Sequence, residues 1–145
     1  MPGILDDIMK ISASGLKAER TRMEAIATNM ANAQTTRTDE GGPYRKKDVV
    51  FIPTDVSDKK GFEAILGEKF EGVKVDEVVD SKKPFEQMYD PYHPDADANG
   101  YVTLPNVNVM EEMGDMIAAT RAYEANLNVI NSAKEMSIKA LDIGK

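Results

Sequence analysis

The run Asp95-Ala96-Asp97-Ala98-Asn99-Gly100 sets three oxygen-bearing side chains at alternate positions, with glycine sixth. That is how an EF-hand loop opens, wrapping Ca²⁺ in oxygen ligands. The twelfth position of such a loop needs a bidentate Glu, and here it is Asn106. Helices should flank the loop, yet Pro91 and Pro94 precede it and Pro105 lies inside it. The segment therefore reads as a solvated turn between strands. A Ca²⁺-responsive module on Asp95, Asp97 and Asn99 stands as the alternative. His93, the single histidine, lies between Tyr92 and Pro94 and reads as a turn or packing residue. Gly41-Gly42-Pro43 is a bend, not a phosphate loop. Lys46-Lys47 and Lys82-Lys83 are short basic pairs of the kind usually found on solvated surface.

Composition removes further chemistry. Among 145 residues there is no Cys, so there is no disulfide framework, thiolate metal site or cysteine nucleophile. One His gives no His pair for acid–base work or zinc. No enzyme activity, metal or cofactor is expected. With 18 Lys+Arg against 25 Asp+Glu the formal charge is −7, which argues against binding nucleic acid. Apolar runs reach only about four residues, as in Val49-Val50-Phe51-Ile52, so no membrane span is expected. Met1-Pro2-Gly3-Ile4-Leu5-Asp6-Asp7 lacks the basic start and apolar core of a Sec-type signal peptide.

The positioning elements follow from proline. Residues 3–42 and 106–145 contain none, while six of the seven prolines lie between Pro43 and Pro105. Proline is excluded from helix interiors, so the ends read as helices. Residues 1–38 carry net +1, 39–105 net −6 and 106–145 net −2, so most of the acidity belongs to the middle.

The first helix is expected from about Ile4 to Gln34. Ile4, Ile8, Ile11, Gly15, Ala18, Ala25 and Asn29 form a coiled-coil-like stripe, interrupted by Arg22. The last helix starts after Pro105, with Asn108 three residues before Glu111 as a capping box. Val109, Met113, Met116, Thr120, Tyr123, Leu127 and Ile130 make one stripe on it. Ala122, Ala125, Val129, Ala133, Met136, Ala140 and Ile143 make a second. Two stripes imply two partners or one groove between partners. At ~1.5 Å per residue each helix is roughly 45–55 Å long. A compact chain of this size is only about 30–35 Å across. Either the helices form an elongated hairpin monomer, or other subunits complete their faces.

In the middle, Tyr44 to Ile52 and Gly72 to Asp80 read as strands, the first ending at Pro53. Asn99-Gly100 reads as a tight turn before a strand at Tyr101–Leu104. Phe62, Ile65, Leu66, Phe70 and Phe85 are candidates for a small core. Asn29, Asn32, Asn126, Asn128 and Asn131 are unusual in helices. They mark helix ends and exposed faces, or amides bonded across a helix interface; composition leaves both open. The expected class is mainly α with a small β-rich insertion. Residues 1–36 and 106–145 would form a discontinuous helical domain of two long, coiled-coil-like packed helices, and 37–105 a small β-rich middle domain.

Two longer motifs carry a resemblance. Ser14-Gly15-Leu16 with Arg22-Met23-Glu24-Ala25-Ile26-Ala27-Thr28-Asn29-Met30-Ala31-Asn32 resembles the N-terminal signature of the bacterial flagellar rod and hook proteins. Glu111-Glu112-Met113 with Met116-Ile117-Ala118-Ala119-Thr120-Arg121-Ala122-Tyr123-Glu124-Ala125-Asn126 resembles their C-terminal signature, with Thr120 where Ser is usual. Gly41 to Lys47, Tyr89-Asp90-Pro91, His93 to Asp97 and Pro105 to Asn108 resemble the family's proximal-rod members, which also share the short middle. Residues 53–71 carry no recognised pattern.

The resemblance implies a structural subunit of the flagellar basal body, in the proximal rod within the cell envelope. Its partners would be other rod subunits and copies of itself. It would leave the cell unfolded through the flagellar type III export apparatus, without a cleaved signal. The terminal helices would pack as an inner tube, with the middle segment outside. The expected assembly residues are Ile8, Ile11, Gly15, Leu16, Met23, Ile26, Asn29 and Asn32 on the first helix. On the last they are Met113, Met116, Arg121, Tyr123, Asn126, Leu127 and Ile130. A soluble coiled-coil adaptor or chaperone outside the flagellum is a further alternative.

Overall fold

The computed structural model describes residues 2–56 and 71–143. Helix α1 spans Pro2–Ala31 and helix α2 spans Val109–Ile143. At ~1.5 Å per residue they are roughly 45 and 52 Å long. They pack against each other in antiparallel fashion. Pro2 takes the first helical position, where its missing N–H costs nothing. At the far end of α1 the Asn32 amide donates to Thr28 O (2.9 Å), and the Thr35 hydroxyl donates to Asn32 Oδ1 (3.2 Å). Asn32 is thus a helix-end residue. Asn108 caps α2, accepting from the N–H groups of Met110 (3.0 Å) and Glu111 (3.2 Å). The Glu111 carboxylate reaches out to Lys83 Nζ (3.1 Å).

Between the helices lie two antiparallel hairpins. Strands β1 (Lys47–Asp55) and β2 (Glu71–Asp80) pair from Lys47↔Asp80 to Asp55↔Glu71, with an irregularity at Val50/Phe51. Strand β1 does not stop at Pro53, which pairs with Val73. Proline has no N–H to donate, but a two-stranded sheet leaves every strand with a free side that needs none. Strands β3 (Glu86–Tyr89) and β4 (Tyr101–Leu104) form the second hairpin. Strand β3 was not foreseen; its four exposed residues show no apolar alternation. The turn before β4 closes from Gly100 N to Asp97 O (3.0 Å), so Asn99-Gly100 is its second half. Phe85 is half-buried beneath the Arg45 guanidinium, 4.1 Å from the ring centroid. Phe62, Ile65, Leu66 and Phe70 lie outside the described residues.

The first hairpin lies against α1 at a glycine. A Cβ on Gly72 would stand 2.6 Å from Ser14 Oγ and 2.7 Å from Val56 Cγ1. That approach lets Ser14 Oγ accept from Val73 N (3.0 Å) while donating to Ile11 O (2.6 Å). Gly72→Val would wedge sheet and helix apart. We expect it to cost about 1–3 kcal/mol, the usual price of overpacking, read as a lower thermal midpoint.

Candidate assembly interface

The α1–α2 seam follows a seven-residue step. Asn29 meets Glu112 (2.9 Å), and the space above Gly15 is filled by Asn126, whose Nδ2 would lie 2.9 Å from an added Cβ. Both pairs sum to 141, the mark of one antiparallel register. Between them Arg22 Nη2 bonds Asp115 Oδ1 (3.3 Å), and Thr120 Oγ1 approaches Met23 Sδ (3.7 Å). On α2 the enclosed line is Glu112, Ala119, Asn126 and Ala133, flanked by half-buried Met116, Tyr123 and Ile130. This corrects the two-stripe reading. The seam runs between the stripes, taking Ala133 from the second and the flanking Met116, Tyr123 and Ile130 from the first, and every residue of its enclosed line is polar or small. Met113, Thr120 and Leu127 of the first stripe are exposed, as are Val129, Met136 and Ile143 of the second. Asn126 also donates to its own Ala122 O (3.0 Å), while Asn128 and Asn131 are exposed.

The seam ends in a buried polar junction. Asn29 is 1 % exposed and makes four hydrogen bonds. Its amide donates to Lys47 O (2.9 Å) and Glu112 Oε2 (2.9 Å), and its Oδ1 accepts from Lys47 N (2.8 Å) and Tyr44 OH (2.9 Å). That satisfies the side chain completely. Glu112, also 1 % exposed, pairs through Oε1 with Lys46 Nζ (2.5 Å). Asn106 accepts from Lys46 N (2.8 Å) and donates to Lys83 O (2.8 Å). The junction thus joins α1, β1, the entry to β3 and the start of α2. Burial pulls the Lys46 pKa down. The Glu112 hydrogen bond and charge, with Asp48 and Glu111, outweigh it and raise the value above the usual 10.5. Burial, then the charges of Asp80 and Glu112, raise Tyr44 above 10.0.

The expected assembly residues divide. Gly15, Ile26 and Asn29 are buried within the chain, and Ile8, Ile11, Leu16, Met23, Asn32, Met116, Tyr123, Asn126 and Ile130 are half-buried. Met113, Arg121 and Leu127 are exposed on α2. Beside them stand Met110 (76 % exposed) and Ile117 (57 %), which the stripe reading missed. They precede Met113 and Arg121 by three and four residues on one outer face. The junction residues Lys46, Tyr44, Asn106 and Glu112 were also missed, because charged and polar side chains are not sought in a core. The available signal was the matched seven-residue step of Gly15, Arg22, Asn29 and Glu112, Ala119, Asn126.

Asp95, Asp97 and Asn99 serve turns. Asp97 Oδ1 accepts from the N–H groups of Asn99 (2.8 Å) and Tyr101 (2.9 Å), and Asp95 Oδ2 from the Thr36 hydroxyl (2.7 Å). His93 Nδ1 accepts from Asp95 N (3.1 Å). Among the described residues, no cluster of three His, Asp or Glu could hold a metal ion, and no helix is long and apolar enough to cross a membrane.

Residues 9–37 match the family described as flagella basal body rod protein, and residues 98–143 the flagellar basal body rod FlgEFG protein C-terminal family. The flagellar basal-body rod protein FlgC of Borreliella burgdorferi is 43 % identical over 144 residues, covering 93 % of this chain and 94 % of the relative. The chain belongs to the FlgC family of flagellar basal-body rod proteins. The FlgC protein of Bacillus subtilis is 41 % identical (94 % of this chain, 96 % of the relative), and that of Salmonella typhimurium 40 % (96 % and 97 %). The two family matches at the ends cover α1 from Met9 with its following turn, and β4 with α2.

Two outcomes are expected of the junction. Glu112→Ala strands the Lys46 ammonium and costs about 3–5 kcal/mol in urea unfolding, whereas Glu112→Met with Lys46→Met is far milder. The second concerns pH. Lys46 and Tyr44 hold their protons more tightly when folded, so their contribution is complete below pH 10.0. It is lost as pH rises through the folded values, above 10.0 for Tyr44 and above 10.5 for Lys46. Alkaline melts should show this decline, shallower in Tyr44→Phe.

Proposed function

We propose that the chain is a structural subunit of the bacterial flagellar basal-body rod, in its proximal part, assembling by helix–helix packing with neighbouring rod subunits and copies of itself. The carrying observation is the outer face of α2. Met110, Met113, Ile117 and Leu127 are 43–76 % exposed on a helix whose inner face is already occupied by α1. Exposed apolar surface of this kind marks an interaction site. A head-to-tail contact between unlike faces builds a helical assembly. In this reading α1 and α2 form the tube-facing domain, residues 37–105 the outer one, and the expected residues divide by task. Gly15, Ile26 and Asn29 set the hairpin that presents the face. Met113, Arg121 and Leu127 meet the neighbour. Tyr123 and Ile130 lie where the two surfaces adjoin.

The absence of cysteine suits a chain that passes the type III export apparatus unfolded and orders on assembly. The role is mechanical, with no chemical step, in the cell envelope at the base of the flagellum.

Leu127→Asp and Tyr123→Asp test this. Leu127→Asp places a charge on the neighbour-facing side of α2 and Tyr123→Asp places one at the edge of the seam with α1, so rods should fail to assemble and cells should lose motility while the protein is still made. Wild-type swimming in both strains, with the variant chain present in isolated basal bodies, would count against the proposal.

A further inference from the structure

The β3–β4 hairpin and its turns, residues 86–104, contain Glu86, Asp90, Asp95 and Asp97 but no Lys or Arg; Arg37, from the turn after α1, shares one shallow cavity with Asp95, Asp97 and Tyr101. This segment also carries three exposed tyrosines: Tyr89 (64 %), Tyr101 (45 %) and Tyr92 (97 %). Tyr89 and Tyr101 are register partners, their rings in edge contact at 5.2 Å and 65°. The carboxylates hold this surface in shape. Asp90 Oδ1 accepts from Tyr92 N (3.2 Å), and Asp97 Oδ1 from Tyr101 N (2.9 Å). Gly100 leaves room for the Tyr89 ring, whose Cε2 would lie 3.0 Å from an added Cβ.

A two-stranded hairpin is marginal in water without a further layer; one face here is already covered, with Val102 fully buried, and Tyr89 and Tyr101 lie on the other. Among the described residues β3 and β4 pair only with each other. Exposed aromatic rings beside carboxylates are complementary to cations, since the faces of tyrosine rings attract guanidinium and ammonium groups. Tyr and Arg are also the residues that most often anchor protein interfaces. We propose that this face docks a basic surface of another protein chain, with arginine or lysine side chains set over Tyr89, Tyr92 and Tyr101. A neutral glycan fits less well. The edge-on pair offers no flat platform for a sugar ring to stack on. The surface is separate from the outer face of α2, so the two proposals fail independently.

Titrating the ¹⁵N-labelled full chain with acetyl-Gly-Arg-Ala-Arg-Gly-amide tests it. Shifts should centre on Tyr89, Tyr92, Gly100 and Tyr101. They should vanish when citrulline replaces arginine. Tyr92→Ala, a fully exposed change, should weaken binding about two- to fivefold and leave the rest of the spectrum unaltered. In cells Tyr92→Arg should shrink the swimming halo, and Tyr92→Phe should not. The proposal is overturned by equal binding of the citrulline peptide, by shifts spread evenly over all surface carboxylates, or by larger shifts from chitotriose at the same tyrosines. It is also overturned if Tyr92→Arg swims normally while Leu127→Asp does not.

Discussion

Glu112 is a carboxylate almost wholly removed from water, one turn into a helix that must also pack against another. A charge in that position is tolerated only if it is paired and its remaining lone pairs are satisfied. Lys46 supplies the charge and Asn29 the hydrogen bond. Those two requirements draw three distant stretches of chain to one point. Asn29 then uses its other three bonds to hold Lys47 and Tyr44, so the strand cannot leave the helix without breaking them. Only one register of α1 on α2 brings Asn29 to Glu112, and the same register sets Asn126 over Gly15. The junction therefore selects a geometry as much as it stabilises one.

Once that register is set, the outward faces follow. Glu112, Ala119 and Ala133 turn inward, which puts Met110, Met113 and Ile117 outside. A helix with such a face leaves apolar surface in water. Membership of the FlgC family fits that condition, because a rod is built from subunits that complete one another. The middle segment repeats the pattern on a smaller scale. One hairpin is anchored on α1 through Gly72 and Ser14, and the other exposes its tyrosines.

Much of the fold was legible in the residues. Proline-free ends and the Asn108 cap located both helices, and the α1 stripe of Gly15, Ala18 and Asn29 is the face that is buried. The strand at Tyr101–Leu104 was visible from the turn before it. The seam of α2 was not, because apolar periodicity looks for leucine and methionine, and Glu112, Ala119, Asn126 and Ala133 are none of these. Strand β3 escaped for a similar reason: all four of its residues face solvent. Pro53 reads as a stop in the sequence, yet an edge position admits it within β1.

The family and the helical ends were determined by the sequence alone. Long motifs survive as linear patterns, and proline exclusion acts residue by residue. What the tertiary structure decided is which polar groups are core. Asn29 is a poor helix former and Glu112 an ordinary helix-start acid until they stand 2.9 Å apart with Lys46 behind them. Burial of a charge depends on what lies across from it, 83 residues away in the chain, and no local pattern carries that information.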